Sequence, residues 1–220
     1  MRQKLTGTLA LLSAAGGLVF GQALSPDRLE AQNVKIEAVT YRGRNAVRVA
    51  DTNASAPDAV RRLAIVKGTQ FQDGTIEVAL SGDTAPDADA GLRGFVGIAF
   101  RVAERGEQYE CIYLRPKNGR SMDQLQRNHS SQYISVPGFP WQKLRTETPG
   151  KYESYVDLVP GQWTQMKIQV AGAGARLYVG TAPEPVLVVN DLKQKPFSGP
   201  VALWVGPGTI AHFADLKLTQ

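Results

Sequence analysis

Between Arg115 and Asp157 the sequence concentrates side chains that can do chemistry. His129, one of two histidines, titrates near neutral pH and can serve as a general base or a metal ligand. Glu153 and Asp157 supply carboxylates for acid/base work or for a cation. Arg115, Arg120, Arg127 and Arg145 present planar forks that suit a carboxylate, an oxyanion or vicinal hydroxyls. Tyr113, Asn128, Tyr133, Trp141 and Tyr155 add hydrogen bonders and flat rings with large contact areas. Linkers are poor in Trp and Tyr, and an irregular segment of this length inside a compact domain is functional or disordered; the aromatics argue against disorder. Each group also has a plain structural alternative: a loop histidine bonded to backbone, arginines paired with Glu147 and Glu153, a tryptophan pinning its own loop.

These groups must be held by strands. From Val34 onward, short segments alternate apolar and polar residues and are separated by Gly, Pro, Asn and Asp, an all-β pattern. Strands are expected at 34–41, 46–50, 62–66, 74–81, 94–102, 108–114, 152–158, 164–171, 176–179, 186–189, 201–205 and 212–218, and no segment keeps a helical period over three turns. So many strands in one domain predict two antiparallel sheets packed face to face, a sandwich or jelly roll. Alternation assigns faces: Met166, Ile168 and Val170 inward, Gln165, Lys167 and Gln169 outward; Glu110, Ile112 and Leu114 inward, Tyr113 and Arg115 on the open side. Within 152–158, Glu153, Tyr155 and Asp157 share the open face. If 108–114 and 152–158 are neighbours, one surface gathers Tyr113, Arg115, Glu153, Tyr155 and Asp157, and the insertion between them brings His129, Tyr133, Trp141 and Arg145 over it. Glu153 and Asp157 would stand roughly 13 Å apart on a flat strand, too far for a two-carboxylate glycosidase pair at about 5 to 9.5 Å.

The ends and composition narrow the setting. Arg2 and Lys4 precede an apolar run from Leu9 to Phe20 and the small residues Gly21 and Ala23, the layout of a signal peptide over 1–23 rather than a membrane span. The expected mature chain, a lead-in over 24–33 and a sandwich over 34–220, is periplasmic or secreted with no stable membrane anchor. Cleavage takes the formal charge from +5 to +3, and the scattered basic residues carry no nucleic-acid motif. Cys111, the only cysteine, excludes an intrachain disulfide and reads as a buried thiol. Zinc spacing, a phosphate-binding glycine loop and a nucleophile elbow are all absent from the sequence. Calcium is a candidate ion, with Asp83, Asp87 and Asp89 as an acidic loop, although a solvated hairpin tip is the better account of them; the metal ligands are otherwise unassigned. His212, Trp163 and Trp204 sit in strand patterns and read as structural.

Several stretches resemble the concanavalin A-like lectin and glucanase sandwich, and within it bacterial proteins related to the 3-keto-disaccharide hydrolase domain. They are Gly94–Arg101, Tyr109–Pro116, Asn118–Arg120, Arg127–Ser130, Gln132–Tyr133, Pro149–Glu153, Pro160–Trp163 and Leu203–Thr209. The resemblance implies a curved sheet with carbohydrate on its concave face, under the 115–150 insertion, and a role in glycan turnover or glycan binding. The Glu-x-Asp-x-x-Glu strand of family 16 glucanases does not occur, so that mechanism is not transferable. The expectation is therefore an exported 3-keto-glycoside or glycoside hydrolase-like enzyme, with His129, Glu153 and Asp157 as acid/base candidates. Tyr113, Arg115, Arg120, Asn128, Tyr133, Trp141, Arg145 and Tyr155 would contact the sugar. The alternative is a noncatalytic carbohydrate-binding module or lectin-like domain, and a third class is a structural interaction domain with no sugar site.

Overall fold

The computed structural model describes residues 19–21, 23–58 and 60–220. Most of the expected signal peptide therefore lies outside the described residues. No helix among them is long and apolar enough to cross a membrane. The strands are β1 (Val19–Gly21), β2 (Leu29–Gln32), β3 (Val34–Tyr41), β4 (Arg44–Asp51), β5 (Leu63–Val66), β6 (Gly74–Thr84), β7 (Val96–Phe100), β8 (Tyr109–Leu114), β9 (Ser131–Val136), β10 (Glu153–Ser154), β11 (Thr164–Ala171), β12 (Gly174–Val179), β13 (Leu187–Val189), β14 (Ala202–Val205) and β15 (Thr209–Thr219). Two short helices, α1 (Gln124–Asn128) and α2 (Trp141–Glu147), flank β9.

Two antiparallel sheets form the expected sandwich. One is ordered β13-β12-β11-β6-β15-β4-β3, with β1 beside the end of β15; the other is seven-stranded, β10-β9-β8-β7-β14-β5-β2. Val47, Leu80, Phe213, Met166 and Ile168 from the first sheet and Ile98, Ile112, Leu114 and Leu203 from the second belong to one buried apolar cluster. The inward side of the seven-stranded sheet is marked by Val96, whose side chain lies so close to Gly82 of β6 that a Cβ there would stand 2.6 Å from it.

Alternation was a sound guide where one face is wet. In β11, Met166, Ile168 and Val170 are buried as expected, while Gln165 and Gln169 are exposed and Lys167 is half-buried. Three expectations need correction. The 24–33 lead-in is part of the sandwich, since β2 is its edge strand against β5. The 115–150 insertion contains a whole strand, β9, which pairs with β8 on one side and β10 on the other; the expected adjacency of 108–114 and 152–158 therefore does not occur. The 152–158 strand shortens to two residues, although Tyr152, Val156 and Leu158 still point into the core.

Candidate functional site

Residues in register across paired strands point to the same side of a sheet. Glu153, Gln132, Tyr113, Gly97 and Trp204 are successive partners across β10, β9, β8, β7 and β14, and they occupy the outer side, opposite Val96 and Ile112. Ile134, Cys111, Ala99 and Ala202 form the next row on that side. Small residues in both rows leave room for rings to lie flat on the sheet. Tyr113 and Trp204, each a partner of Gly97, stack with centroids 4.6 Å apart, and Phe95 meets the Tyr113 ring edge-on. Tyr109 shares the outer side of β8, two residues before Cys111. Of these rings Tyr109 and Tyr113 are buried, whereas Trp204 is half-buried.

The polar part of the site is built around Glu153. Arg115 follows β8 directly and donates from Nη1 to Glu153 Oε1 at 3.1 Å and from Nη2 to Tyr113 Oη and Gln132 Oε1, both at 3.0 Å. Its Nη1 also reaches the His129 carbonyl, which Asn118 Nδ2 shares. Asp123 caps α1 by accepting from the Leu125 and Gln126 amides, and the helix ends at His129, which thereby sits with Nε2 3.6 Å from Glu153 Oε2. Leu144 anchors α2 in the core. Trp141 and Arg145 are one helical turn apart on α2, so the Arg145 guanidinium lies over the indole at 4.5 Å and donates to both Glu153 oxygens through Nε and Nη2. Arg115 approaches the same indole at 5.7 Å.

The charges follow from this packing. Burial opposes ionisation of Glu153, but the Arg145 hydrogen bonds and the Arg115 and Arg145 charges outweigh it and hold the carboxyl below its ordinary value. Burial pushes the His129 imidazole down; Glu153 draws it up, and the two arginines push it further down. Burial also raises the Tyr113 hydroxyl to about 12.

Of the residues singled out from the sequence, the structure brings His129, Glu153, Tyr113, Arg115, Trp141 and Arg145 together. Asp157 instead pairs with Arg120, both exposed, through Nε and Nη2 at 2.7 and 3.0 Å; this bond holds its pKa below the usual carboxylate value. Tyr133 does not reach the outer face: it is fully buried on the core side, where its hydroxyl donates to Glu110 and accepts from the Lys193 amide. Asn128 is bonded to Gln124 on the exposed side of α1, and Tyr155 is exposed beyond β10. Gln132 and Trp204 belong to the site and were not anticipated. The alternation of Trp204 with Leu203 and Val205 placed it opposite to the core, and that was the available signal. Among the described residues no group of three or more His, Cys, Asp and Glu side chains is placed to hold a metal ion. Asp83 and Asp89 accept from the nearby backbone amides of Thr84 and Gly91.

No protein-family model matches the chain, and no curated protein matches it. Solved structures do. The carbohydrate-binding module CBM66 from Bacillus subtilis has a TM-score of 0.60 at 12% identity, over 87% of this chain and 95% of that one. A Bacillus subtilis protein of unknown function with a galectin-like fold gives 0.54 at 13%, over 88% of each chain. A prokaryotic β-1,3-1,4-glucanase (lichenase) derived from a mouse hindgut metagenome gives 0.54 at 12%, over 92% and 98%. At such identities the likeness is one of fold alone, the two-sheet antiparallel sandwich expected from the sequence.

Proposed function

We propose that this chain is a noncatalytic carbohydrate-binding domain, with its binding face on the outer side of the seven-stranded sheet at Trp204, Trp141, Arg145 and His129. The observation that carries the reading is the double arginine clamp on Glu153. Cleaving a glycosidic bond calls for a protonated acid with a raised pKa beside a second carboxylate. Glu153 is held ionised, Asp157 is engaged by Arg120, and a lowered His129 is neutral near pH 7 and a poor proton donor. Binding needs less: a rigid ring for the apolar side of a sugar and fixed polar groups beside it. Trp204, backed by Tyr113, supplies the first, and the clamped Arg145 with His129 supplies the second. Solved structures of similar fold include both a carbohydrate-binding module and a glucanase, so fold leaves both roles open. The N-terminal sequence supports export, with the domain acting in a periplasm or outside the cell.

The approach of His129 to Glu153 favours a second reading, a hydrolase in which the two act as an acid/base pair. Titration of the purified mature chain with neutral, acidic and 3-keto-oxidised oligosaccharides, with products followed by mass spectrometry, separates the two. Saturable binding without products, weakened in Trp204→Ala, supports the binding domain. Product formation that vanishes in a folded His129→Ala variant supports the hydrolase instead.

A further inference from the structure

A cleft of about 450 Å³ opens beside the Glu153 cluster, lined by Arg93, Lys117, Arg120 and Gln126 and floored by Leu158, Val159 and Pro160. Its walls continue the elements that build that cluster: Lys117 stands two residues after Arg115, and Gln126 lies on α1 three residues before His129. Among its cations, Arg120 is clamped by Asp157, and Lys117 bonds Thr84 and lies 4.0 Å from Asp83.

Arg93 is different. Its Nη1 donates to the Ala90 and Leu92 carbonyls. The other edge, Nε and Nη2, faces the Gln126 side-chain amide; with that amide assigned so that its donors and acceptors are matched, its oxygen accepts from both at 2.8 Å and its nitrogen meets Ser121 Oγ. Nε and Nη2 form the fork that binds carboxylates and sulfates through two parallel hydrogen bonds. Here that fork carries a neutral amide, inside a cleft with two further cations.

The geometry points to this cleft as a subsite for an anionic group, a carboxylate or sulfate ester borne by the bound carbohydrate. The inference rests on the carbohydrate reading and deepens it: the preferred ligand is an acidic polysaccharide, held by Trp204 through a ring and by Arg93 through an acid group. Displacing the Gln126 oxygen by an anion exchanges a neutral acceptor for a charged one, which strengthens both Arg93 bonds.

The test is calorimetric titration of the mature chain with oligogalacturonates, with their carboxyl-reduced neutral counterparts, with sulfated oligosaccharides of matching length, and with inorganic sulfate. Acidic oligosaccharides are expected to bind about 10-fold tighter than neutral ones, about 1.4 kcal/mol, with the margin shrinking as salt rises. Arg93→Gln should erase the margin without changing affinity for the neutral set, and Arg93→Lys, which keeps charge but loses the fork, should retain part of it. Equal binding of acidic and neutral oligosaccharides overturns the inference while leaving the carbohydrate reading intact. Binding of inorganic sulfate, lost in Arg93→Gln, with no oligosaccharide bound at all, overturns both. A melting curve for each variant separates lost recognition from lost folding; if Arg93→Gln melts early, Lys117→Gln replaces it, with part of the margin lost through the missing charge and an unchanged margin overturning the inference.

Discussion

Arg115 reaches Glu153 across a strand that separates them. The arginine leaves the end of β8, the glutamate sits on β10, and Gln132 of the intervening β9 accepts from the guanidinium while donating to the Tyr133 and Tyr152 carbonyls. The pair thus ties the sheet edge to its interior through side chains as well as through the ladder, and both partners are nearly inaccessible, at 5% and 3% side-chain exposure.

Removing one charge of such a pair leaves the other buried without compensation. Glu153→Gln is expected to lower the unfolding free energy by about 2–4 kcal/mol, measured by urea denaturation. A double change to Arg115→Met and Glu153→Met should recover much of that, because it removes the stranded charge. A loss below about 0.5 kcal/mol in the single variant would mean that the clamp does not hold the edge.

Trp204 and Trp141 are the half-buried indoles of the site, and Trp204 is the one stacked on the Tyr113 ring. Trp204→Ala should weaken oligosaccharide binding by about 10- to 100-fold, in calorimetric titration, while the protein remains folded. Trp163→Ala, on the other sheet with its indole nitrogen on the Tyr41 carbonyl, should leave affinity unchanged.

The stacked rings depend on the hydrogen that Gly97 has in place of a side chain. A Cβ there would stand 2.3 Å from the Ile112 carbonyl oxygen and 2.5 Å from Tyr113 Cα and Cβ, in an interior with no slack. Gly97→Ala is expected to cost more than about 2 kcal/mol by strain alone and to diminish the near-ultraviolet dichroism of the Tyr113–Trp204 stack.

His212 gives the other sheet a pH response. It lies under Tyr41, with centroids 3.6 Å apart, and beside Arg48 and Ser81 in the ladder; Glu37 pairs with that arginine. Burial, aided by Arg48, lowers it to about 4 from 6.5. The unfolded chain therefore takes up this proton first, so stability is full above pH 6.5 and falls as the pH drops toward 4. His212→Phe, which preserves the stack, should flatten that part of a melting-temperature profile. An unchanged slope between pH 6.5 and 4 would remove His212 as its source.

Asp157 restrains Arg120 at the rim of the cleft. Asp157→Asn should free that guanidinium and tighten binding of acidic oligosaccharides about threefold by the added charge, with little change in stability, as expected of an exposed pair. Weaker binding of acidic ligands would show instead that Asp157 orders the cleft.

What could be inferred from sequence depended on whether one face of a strand meets water. β11 matches its expected bounds because polar and apolar residues alternate cleanly there; β3 matches its bounds too, although its burial shifts phase at Ala38. β9, Ser131-Gln-Tyr-Ile-Ser-Val136, is buried on both sides through Ser135, with its polar groups satisfied by neighbours rather than solvent. Its composition imitates a loop, and an interposed strand was hidden in the insertion. That omission explains why Tyr133 was placed on the wrong face; Asp157 was grouped with Glu153 for another reason, that alternation was carried over 152–158 whereas the strand ends at Ser154. The charges of the site were visible as residue types. Their mutual neutralisation was not, because it depends on which guanidinium meets which carboxylate in space.

Cys111 lies in the second row of the outer face, between Tyr109 and Tyr113 along β8, and its thiol is fully buried and pushed well up in pKa by that burial. With no other sulfhydryl in the chain, its alkylation rate is a private clock for the lifting of the aromatic cover, and a ligand seated on Trp204 should slow that clock without touching the sulfur.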